Sequence, residues 1–319
     1  MVQKAWLLNI ERGYSIREIF MQNSILPKIP SKQIEELLQS KELEDFDLIK
    51  RIEGLLSRKR KYIFKMPNPG GPVVLMLSGG LDTVIVCDIL MRKYKLNVYP
   101  IFLRRGHRRI KNEERSVDYF SKLYSQIFPN LYHLPKKMNA FIPPIEIRWP
   151  ITEVSNKLVK HGSKQWRGIP MYSALLVSYS VQYAYYLEIT QNISIRNIFC
   201  GFVPSDGEPM AYETLTALRV IMLTSCVLTN DYSWQVSSLP LEKELNFFWD
   251  KDILIKWANK NGLPINKTWS CYWGGIYHCG NCIGCGTRKE AFKKSGIHDP
   301  TIYWNETPMG RISNKIKSF

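Results

Sequence analysis

The chain has 319 residues, of which 45% are hydrophobic and 12% aromatic, so it can bury a substantial core and is not mainly disordered. Charged residues make up 23% of it and no apolar run approaches 18 residues, so we expect a cytoplasmic protein without a membrane span or secretory signal. The net charge of +16 makes a polyanionic ligand, such as a nucleotide, tRNA or DNA, a reasonable expectation.

Residues 1–65 are predicted to form a helical extension. Ser15 and Glu18 fit a capping box, and Pro30-Ser31 is typical of a helix start. Apolar residues recur at helical spacing after Asp45, which predicts a further helix. We expect this extension to be an appended domain that contacts a protein partner.

Residues 66–270 are predicted to form the central domain. A stretch rich in proline and glycine at 66–72 marks its start, and the apolar run Val73–Leu77 is typical of a buried strand in a parallel sheet. The elements predicted beyond this strand are helices at Val84–Tyr94, Asn112–Tyr124 and Met171–Leu187 and strands at Val98–Leu103 and Asn197–Phe202. This alternation indicates a doubly wound α/β sheet, which binds ligands beyond the carboxyl ends of its strands.

The motif Ser78-Gly79-Gly80-Leu81-Asp82-Thr83 follows the first predicted strand and precedes a helix. Its glycines let the backbone approach an anion, and the N–H groups at the helix start can bind that anion. Ser78 and Thr83 add hydroxyl groups. The motif lacks the Gly-Lys-Ser/Thr ending of a Walker loop, which disfavours transfer of a γ-phosphate. A turn that merely connects strand and helix is the structural alternative.

The segment Arg104–Arg109 follows the second predicted strand and is therefore expected at the same edge of the sheet. Its cations could neutralise phosphate or an acidic substrate. Gly106, His107 and Arg108 are the candidate contacts. A solvated basic loop is the alternative for Arg108 and Arg109.

The segment Gly201–Gly207 ends the third predicted strand at this edge, and an ordinary turn is the alternative for it. Ser205 and Asp206 are candidates for contact with substrate or magnesium. Cys200 could be a nucleophile, although a buried strand cysteine is the alternative that we favour. Cys87 and Cys226 fall in apolar segments and are predicted to be core residues.

Four further cysteines lie within fifteen residues of the predicted C-terminal module, 271–319: Cys271, Cys279, Cys282 and Cys285. Four thiolates satisfy tetrahedral zinc and leave no open position, so a structural zinc ion is expected. An iron–sulfur cluster, or His278 as a substitute ligand, is the alternative. The module looks too rich in cysteine, glycine and turn residues to form a conventional element without a metal.

The glycine motif resembles the pyrophosphate loop of the PP-loop ATP pyrophosphatase superfamily, an adenine nucleotide alpha hydrolase-like fold, with Thr83 in place of the usual serine. Together with the cysteine array it resembles the QueC family of 7-cyano-7-deazaguanine synthases in queuosine biosynthesis. The resemblance covers residues 73–310. It includes Gly106-His107-Arg108, Ser270-Cys271-Tyr272 and Arg288–Phe292.

The resemblance implies an enzyme that uses ATP and Mg²⁺ to adenylate the carboxylate of 7-carboxy-7-deazaguanine. The residues that it implies for nucleotide binding are Leu77, Ser78, Gly79, Gly80, Leu81, Asp82, Thr83, Gly106, His107 and Arg108. Among these, catalysis would depend on Ser78, Asp82 and Thr83. The substrate candidates are Arg167, Tyr172, Gly201, Ser205 and Asp206.

Two departures distinguish the chain from the usual family pattern. Ile169–Ser173 replaces a Val-Pro-x-Arg-Asn stretch, and the helical extension has no counterpart in the ordinary synthase. QueC-like proteins also occur in antiphage operons of the type IV CBASS and Qat kinds. The acceptor amine is therefore expected to be either ammonia or a macromolecular amine such as a protein N-terminus.

Two other functions stay open on the sequence alone. A tRNA-thiolating PP-loop enzyme would suit the positive charge, and a non-catalytic subunit could bind nucleotide or nucleic acid through its helices. The QueC-like chemistry does not require nucleic acid. A homodimer is one expected assembly.

Overall fold

We describe residues 26–140, 169 and 171–310 of a computed structural model. The predicted capping box of Ser15 and Glu18 lies outside these residues, as does Arg167. None of the described helices combines the length and the apolar character that crossing a membrane requires.

Five parallel strands form one sheet in the order β3-β2-β1-β4-β5. They are β1 (Pro72–Met76), β2 (Asn97–Arg104), β3 (Lys136–Asn139), β4 (Asn197–Cys200) and β5 (Gln235–Ser238). The chain adds strands on one side of β1 as far as β3 and then continues on the other side with β4. The carboxyl ends of β1 and β4 therefore flank a topological switch point, where sheets of this kind bind ligands.

Eight α-helices accompany the sheet in the described residues. They are α1 (Ser31–Gln39), α2 (Phe46–Arg60), α3 (Leu81–Arg92), α4 (Ile110–Ile127), α5 (Tyr172–Gln191), α6 (Leu215–Thr229), α7 (Lys251–Lys260) and α8 (Ile283–Ser295). Short 3-10 helices lie at Ala211–Glu213, Leu239–Leu241, Lys243–Leu245, Ile265–Lys267 and Trp304–Glu306.

The helices cover both faces of the sheet. Val73 and Leu75 of β1 belong to a hydrophobic cluster with α3, α4, α7 and α8, while Val74 and Met76 belong to one with α1, α2, α5 and α6. Successive strand residues point to opposite faces, so a strand that is buried on both faces is apolar throughout. The predicted doubly wound α/β sheet is confirmed.

The helices α1 and α2 of the predicted extension pack into the same cluster as the sheet residues. The side chain of Asp45 caps α2, where it accepts a hydrogen bond from the Leu48 N–H at 2.9 Å. Arg60, from the basic run that ends α2, donates hydrogen bonds to the carbonyl groups of Tyr232 and Trp234. This cation therefore fixes the end of α2 beside β5.

The structure adds elements that the sequence pattern does not indicate. β3 and β5 are four residues each and largely polar, so no apolar run reveals them.

The cysteine-rich module contains the 13-residue helix α8, which begins directly after Cys282 and packs on α7 through Ala291 and Phe292. The module thus contains a regular helix, and two of the four clustered cysteines lie at or in its start.

Candidate nucleotide site and cysteine cluster

The glycine loop lies at the carboxyl end of β1, directly before α3. Thr83 Oγ1 accepts a hydrogen bond from the Ser78 N–H at 3.2 Å and lies 2.9 Å from Ser78 Oγ. Ser78 Oγ accepts a hydrogen bond from the Gly80 N–H at 3.2 Å. Gly80 is the N-cap residue of α3 and has no side chain, so an anion can approach the first N–H groups of the helix.

Gly79 occupies a position that only glycine fits without strain. Its φ of +74° lies in the left-handed region, and a Cβ there would lie 2.5 Å from the carbonyl oxygen of Glu113 in α4. The Gly79 carbonyl oxygen accepts hydrogen bonds from Ser116 Oγ at 2.7 Å and from the Trp269 N–H at 3.0 Å. These contacts fix the loop between α4 and the segment that leads to the cysteine cluster.

Asp82, in the first turn of α3, lies among charged groups from distant segments. Lys251 Nζ, at the start of α7, is 3.2 Å from Asp82 Oδ2 and 2.7 Å from Asp206 Oδ1. Among the described residues, no hydrogen-bond partner reaches the buried Asp82 Oδ1. Burial raises the pKa of Asp82 to about 6, although Lys251 opposes the shift. A buried carboxylate oxygen without a partner, beside a second carboxylate, suits a divalent cation.

Glu213 adds a third carboxyl group to this edge of the sheet. Burial raises its pKa to about 8, and Asp206 adds to the shift while Lys251 and Arg105 oppose it. A pKa of about 8 leaves Glu213 largely protonated at pH 7, and a bound cation would favour its ionised form. When all three carboxylates are ionised, Lys251 does not balance their charge and the group is negative. A polyphosphate would be repelled there unless a cation lay between.

The basic segment after β2 is folded around one buried carboxylate. Arg105 Nη2, His107 Nε2 and Arg109 Nε lie 3.3, 2.8 and 2.6 Å from the oxygens of Glu113. Burial alone would raise the pKa of Glu113, but Arg105, His107 and Arg109 outweigh it and lower this pKa to about 2. Burial lowers the pKa of His107, so its ring is neutral at pH 7 and donates from Nε2 to Glu113.

Of the other predicted contacts in this segment, Arg108 lies against the C-terminal module. Gly106 has a φ of +65°, and the guanidinium group of Arg108 lies 5.3 Å from the centroid of the Trp273 ring. A Cβ at Gly274 would lie 2.4 Å from the Arg108 carbonyl oxygen, so the two backbones are in close contact. The segment thus joins the sheet edge to the module.

The substrate candidates that follow β4 contact the glycine loop and the start of α7. A Cβ at Gly201 would lie 2.9 Å from the backbone nitrogen of Thr83, so close packing requires glycine there. Ser205 Oγ donates a hydrogen bond at 2.6 Å to Asp250, the N-cap residue of α7. Ser205 therefore positions the start of the helix that carries Lys251.

Tyr172, the first residue of α5, lies near the same edge. Its ring centroid is 5.9 Å from that of Tyr212 and 5.4 Å from the guanidinium carbon of Arg105. Tyr272 contacts Arg109 at 4.5 Å in the same way. Aromatic rings from three segments therefore lie beside the cations that follow β2.

The four clustered cysteines bring their sulfur atoms within 4.8 Å of one another. The Sγ–Sγ distances include 3.5 Å for Cys282 and Cys285, 3.8 Å for Cys279 and Cys285, and 3.9 Å for Cys271 and Cys282. A tetrahedral ion with metal–sulfur bonds of about 2.3 Å places its sulfurs about 3.8 Å apart. The cluster can therefore bind a single metal ion.

Backbone groups complete the surroundings of these sulfurs. The N–H groups of Trp273 and Cys279 each donate to Cys271 Sγ at 3.3 Å, which stabilises a thiolate. His278 lies outside the cluster, because its Nε2 accepts a hydrogen bond from the Ser270 N–H at 3.1 Å. Burial lowers the pKa of His278 to about 4, so the ring is neutral.

The three scattered cysteines are buried. Cys200 Sγ contacts the Ser237 carbonyl oxygen at 3.5 Å, and burial raises the pKa of Cys200 to about 12. A thiol with so high a pKa is a weak nucleophile at neutral pH. This environment fits the strand-core alternative for Cys200. Cys87 and Cys226 are core residues.

Three charged residues of the site have no place in the predicted motifs: Glu113, Glu213 and Lys251. Glu113 lies in the predicted helix Asn112–Tyr124, four residues after Arg109. The contact between Arg109 and Glu113 could therefore be predicted from helical spacing, if the helix begins slightly earlier. Lys251 follows Asp250, whose capping role marks a helix start. Glu213 lies in a 3-10 turn with no local pattern, and only the tertiary fold brings it to Asp82.

Comparison with known proteins finds several proteins named 7-cyano-7-deazaguanine synthase among the relatives of the chain. The 7-cyano-7-deazaguanine synthase of Brucella anthropi is 54% identical over 52 residues, which are 16% of this chain and 22% of that protein. The 7-cyano-7-deazaguanine synthase 2 of Sulfurisphaera tokodaii is 26% identical over 267 residues, 82% of this chain and 54% of that protein. The synthase of Caldicellulosiruptor bescii is 26% identical over 233 residues, 72% of this chain and 96% of that protein.

The chain thus spans about a fifth of the first of these relatives and about half of the second. The family model described as "Queuosine biosynthesis protein QueC" matches residues 72–296, from the start of β1 to the residue after α8. That match includes the glycine loop, the carboxylates around Asp82 and all four clustered cysteines. The chain therefore belongs to the QueC family.

Proposed function

We propose that the protein uses ATP to adenylate the carboxylate of 7-carboxy-7-deazaguanine and then joins the activated carbon to an amine. The observation that carries this proposal is the glycine loop at the start of α3, with the unpartnered oxygen of Asp82 beside it. Membership of the QueC family supports a deazapurine substrate.

The loop suits pyrophosphate as the leaving group. When the carboxylate attacks the α-phosphorus atom, AMP becomes bonded to the substrate and the β- and γ-phosphates depart together. The N–H groups at the start of α3 and the hydroxyl groups of Ser78 and Thr83 can bind that anion. The activation needs orientation and charge stabilisation rather than a protein nucleophile, which agrees with the burial of Cys200.

Asp82, Asp206 and Glu213 would hold Mg²⁺. The bound ion supplies positive charge to the phosphate oxygens. The Asp82 Oδ1 atom supports this assignment, since it offers a ligand atom that has no hydrogen-bond partner among the described residues. Lys251 bridges Asp82 and Asp206 and so orients both carboxylates.

We assign a structural zinc ion to the four clustered cysteines. Four sulfur ligands leave no position for a reacting group. The Sγ–Sγ distances of 3.5 to 3.9 Å support one ion. In a [4Fe–4S] cluster each cysteine binds a different iron, so its sulfurs would lie further apart.

Two acceptor amines agree with this chemistry, and their products differ. Ammonia gives a primary amide, and a second adenylation on the amide oxygen followed by loss of AMP gives the nitrile. A protein N-terminus gives a secondary amide, which cannot become a nitrile without losing the protein. The altered stretch at Ile169–Ser173 supports the second acceptor, which would suit a role in antiphage defence.

The test mixes the protein with ATP, Mg²⁺, 7-carboxy-7-deazaguanine and ammonium, and then with a co-expressed protein partner, and identifies the products by mass. We expect AMP and pyrophosphate to form only when the deazapurine is present. Asp82→Asn should lower the rate at least 100-fold, because it removes a charged ligand. Asp118→Asn, at a half-exposed carboxylate of α4, is the matched control. Formation of ADP, or full activity of Asp82→Asn, would refute the proposal.

A further inference from the structure

The helical extension helps to cap a helix in the central domain, α6, whose N-cap residue Thr214 accepts a hydrogen bond from the Ala217 N–H. Glu44 accepts hydrogen bonds from the Leu215 N–H at 2.8 Å through Oε1 and from the Thr216 N–H at 2.8 Å through Oε2. The Thr216 hydroxyl group also donates to Glu44 Oε2, at 2.6 Å. A carboxylate at this position satisfies N–H groups at the start of α6 and complements the helix dipole. Glu213 lies two residues before Leu215.

Two further contacts hold the segment 206–216 from the same side. The Asp45 N–H donates to Thr216 Oγ1 at 2.8 Å, and Lys41 Nζ lies 2.6 Å from a carboxylate oxygen of Glu208. This segment carries both Asp206 and Glu213. Its regular structure before α6 is a single 3-10 turn, so contacts from outside the segment determine its position.

The extension also contacts the segment that leads into α7. The Ile29 N–H donates to the Asn246 carbonyl oxygen at 2.9 Å, and Ser31 Oγ donates to Asn246 Oδ1 at 2.8 Å. Trp249 Nε1 donates to the Pro27 carbonyl oxygen at 2.8 Å. Lys251, which bridges Asp82 and Asp206, follows Trp249 by two residues.

A buried ion triad anchors the extension to the central domain. Arg219 of α6 is fully buried and lies 2.9 Å from Glu53 of α2 and 2.7 Å from Glu242. Because burial makes the loss of any one charge costly, α2 is held firmly against α6. The residues Lys41, Glu44 and Asp45 directly precede α2, so the fixed position of α2 also restricts where they lie.

We propose that residues 27–45, here called the N-terminal clamp, position the carboxylates opposite Asp82, with Glu44 as the main positioning residue. The segment 206–216 carries both of these carboxylates and has a single 3-10 turn before α6, so the contacts of Glu44 and Asp45, together with the Lys251 bridge to Asp206, fix where the two carboxylates lie. This inference rests on the proposed function for the reaction that it affects. It gives the extension a role within the chain, separate from recruiting a partner.

The test compares Glu44→Gln with Glu36→Gln, a control at an exposed carboxylate of α1. Hydrogen exchange of a peptide covering residues 206–217 reports the restraint directly, without any ligand. The Mg²⁺ concentration for half-maximal AMP formation reports the position of the carboxylates. For Glu44→Gln we expect exchange in this peptide to accelerate at least fivefold and the half-saturating Mg²⁺ concentration to rise about fivefold. The kcat at saturating Mg²⁺ should change less than twofold. Thermal melting shows that both variants are folded, and Thr216→Val provides a second variant of the same contact.

Unchanged exchange in residues 206–217 of the folded Glu44→Gln and Thr216→Val variants would overturn the inference. Faster exchange with an unaltered Mg²⁺ requirement would also overturn it, because the contact would then be merely structural. If the wild-type protein forms no AMP, the proposed function fails. The inference is then decided by exchange together with Mn²⁺ titration of the wild type and Glu44→Gln. Faster exchange with weaker Mn²⁺ binding in the variant supports it, and any other result overturns it.

Discussion

Thr83 shows how one side chain can serve two purposes in the glycine loop. Its hydroxyl group contacts Ser78 as a serine would, while its methyl group fills the space beside Gly201. A Cβ at Gly201 would lie 2.8 Å from that methyl carbon. The threonine in the motif and the glycine at the end of β4 are therefore matched in size.

A glycine can be required because its φ is positive or because a Cβ would clash with a neighbouring segment, and a comparison of Gly79 with Gly70 separates these two causes. Both have a positive φ, but only at Gly79 would a Cβ clash with another segment, since a Cβ at Gly70 would meet nothing within 4 Å. We expect Gly70→Ala to lower the free energy of unfolding by about 1–2 kcal/mol from backbone strain alone. Gly79→Ala should cost about 2 kcal/mol more, because α4 must also shift. Urea unfolding measures both, and equal losses would contradict the steric explanation.

Glu113 is expected to make stability depend on acid pH. Its pKa is lowered to about 2 in the folded protein, below the ordinary value of 4.5. A lowered pKa contributes stability that is present above pH 4.5 and is lost as the pH falls toward 2. We expect a loss of about 3 kcal/mol for this group at pH 2.

Urea unfolding of the wild type and Glu113→Gln between pH 2 and pH 6 measures this contribution. The difference between the two proteins should be large at pH 6 and shrink toward pH 2. A difference that does not vary with pH would show that the charge of Glu113 is unimportant for stability.

Among the elements, α8 connects the cysteine cluster to the central domain. Cys285 lies in its first turn, and its Arg288 donates to Thr268 Oγ1 at 2.8 Å and to the Ile265 carbonyl oxygen at 2.8 Å. The next residue after Thr268, Trp269, holds the glycine loop. Loss of the first turn of α8 would therefore be expected to shift the glycine loop of the candidate nucleotide site.

Removal of the metal is expected to weaken ATP binding. Without the ion, the four thiolates repel one another and the start of α8 loses its support. We expect Cys282→Ser to bind less than one-tenth of the wild-type zinc and to raise the Kd for ATP about tenfold or more. Metal analysis and calorimetric titration measure these quantities. Cys226→Ala, at a buried cysteine outside the cluster, should retain its zinc. Wild-type ATP affinity in a metal-free protein would contradict the coupling.

The sequence predicts those elements whose local pattern agrees with their burial. β1 is apolar throughout because both of its faces are covered, and α3 follows directly from the glycine motif. β5 has the sequence Gln-Val-Ser-Ser and is recognisable only from its pairing with β4. Glu213 and Lys251 are likewise recognisable only from the tertiary structure, because contacts between distant segments bring them to Asp82.

On the scale of the whole molecule, the buried Arg219 triad joins the extension to the sheet. Arg219→Met would leave Glu53 and Glu242 buried without their main partner, and we expect a loss of about 3–5 kcal/mol in the free energy of unfolding. Thermal and urea denaturation measure it. The triple variant that adds Glu53→Gln and Glu242→Gln should recover most of the loss. Equal losses in the single and triple variants would show that packing, rather than charge, is responsible.

The hydrogen bond from Trp269 to Gly79 has a consequence for biosynthesis. The glycine loop is synthesised long before Trp269, whose N–H donates a hydrogen bond to the Gly79 carbonyl oxygen. A nascent or truncated polypeptide that ends before this tryptophan would contain the Ser-Gly-Gly motif but lack the hydrogen bond from Trp269 that fixes the loop. If the loop binds the phosphates of ATP as we propose, such a polypeptide should bind ATP more weakly than the full chain.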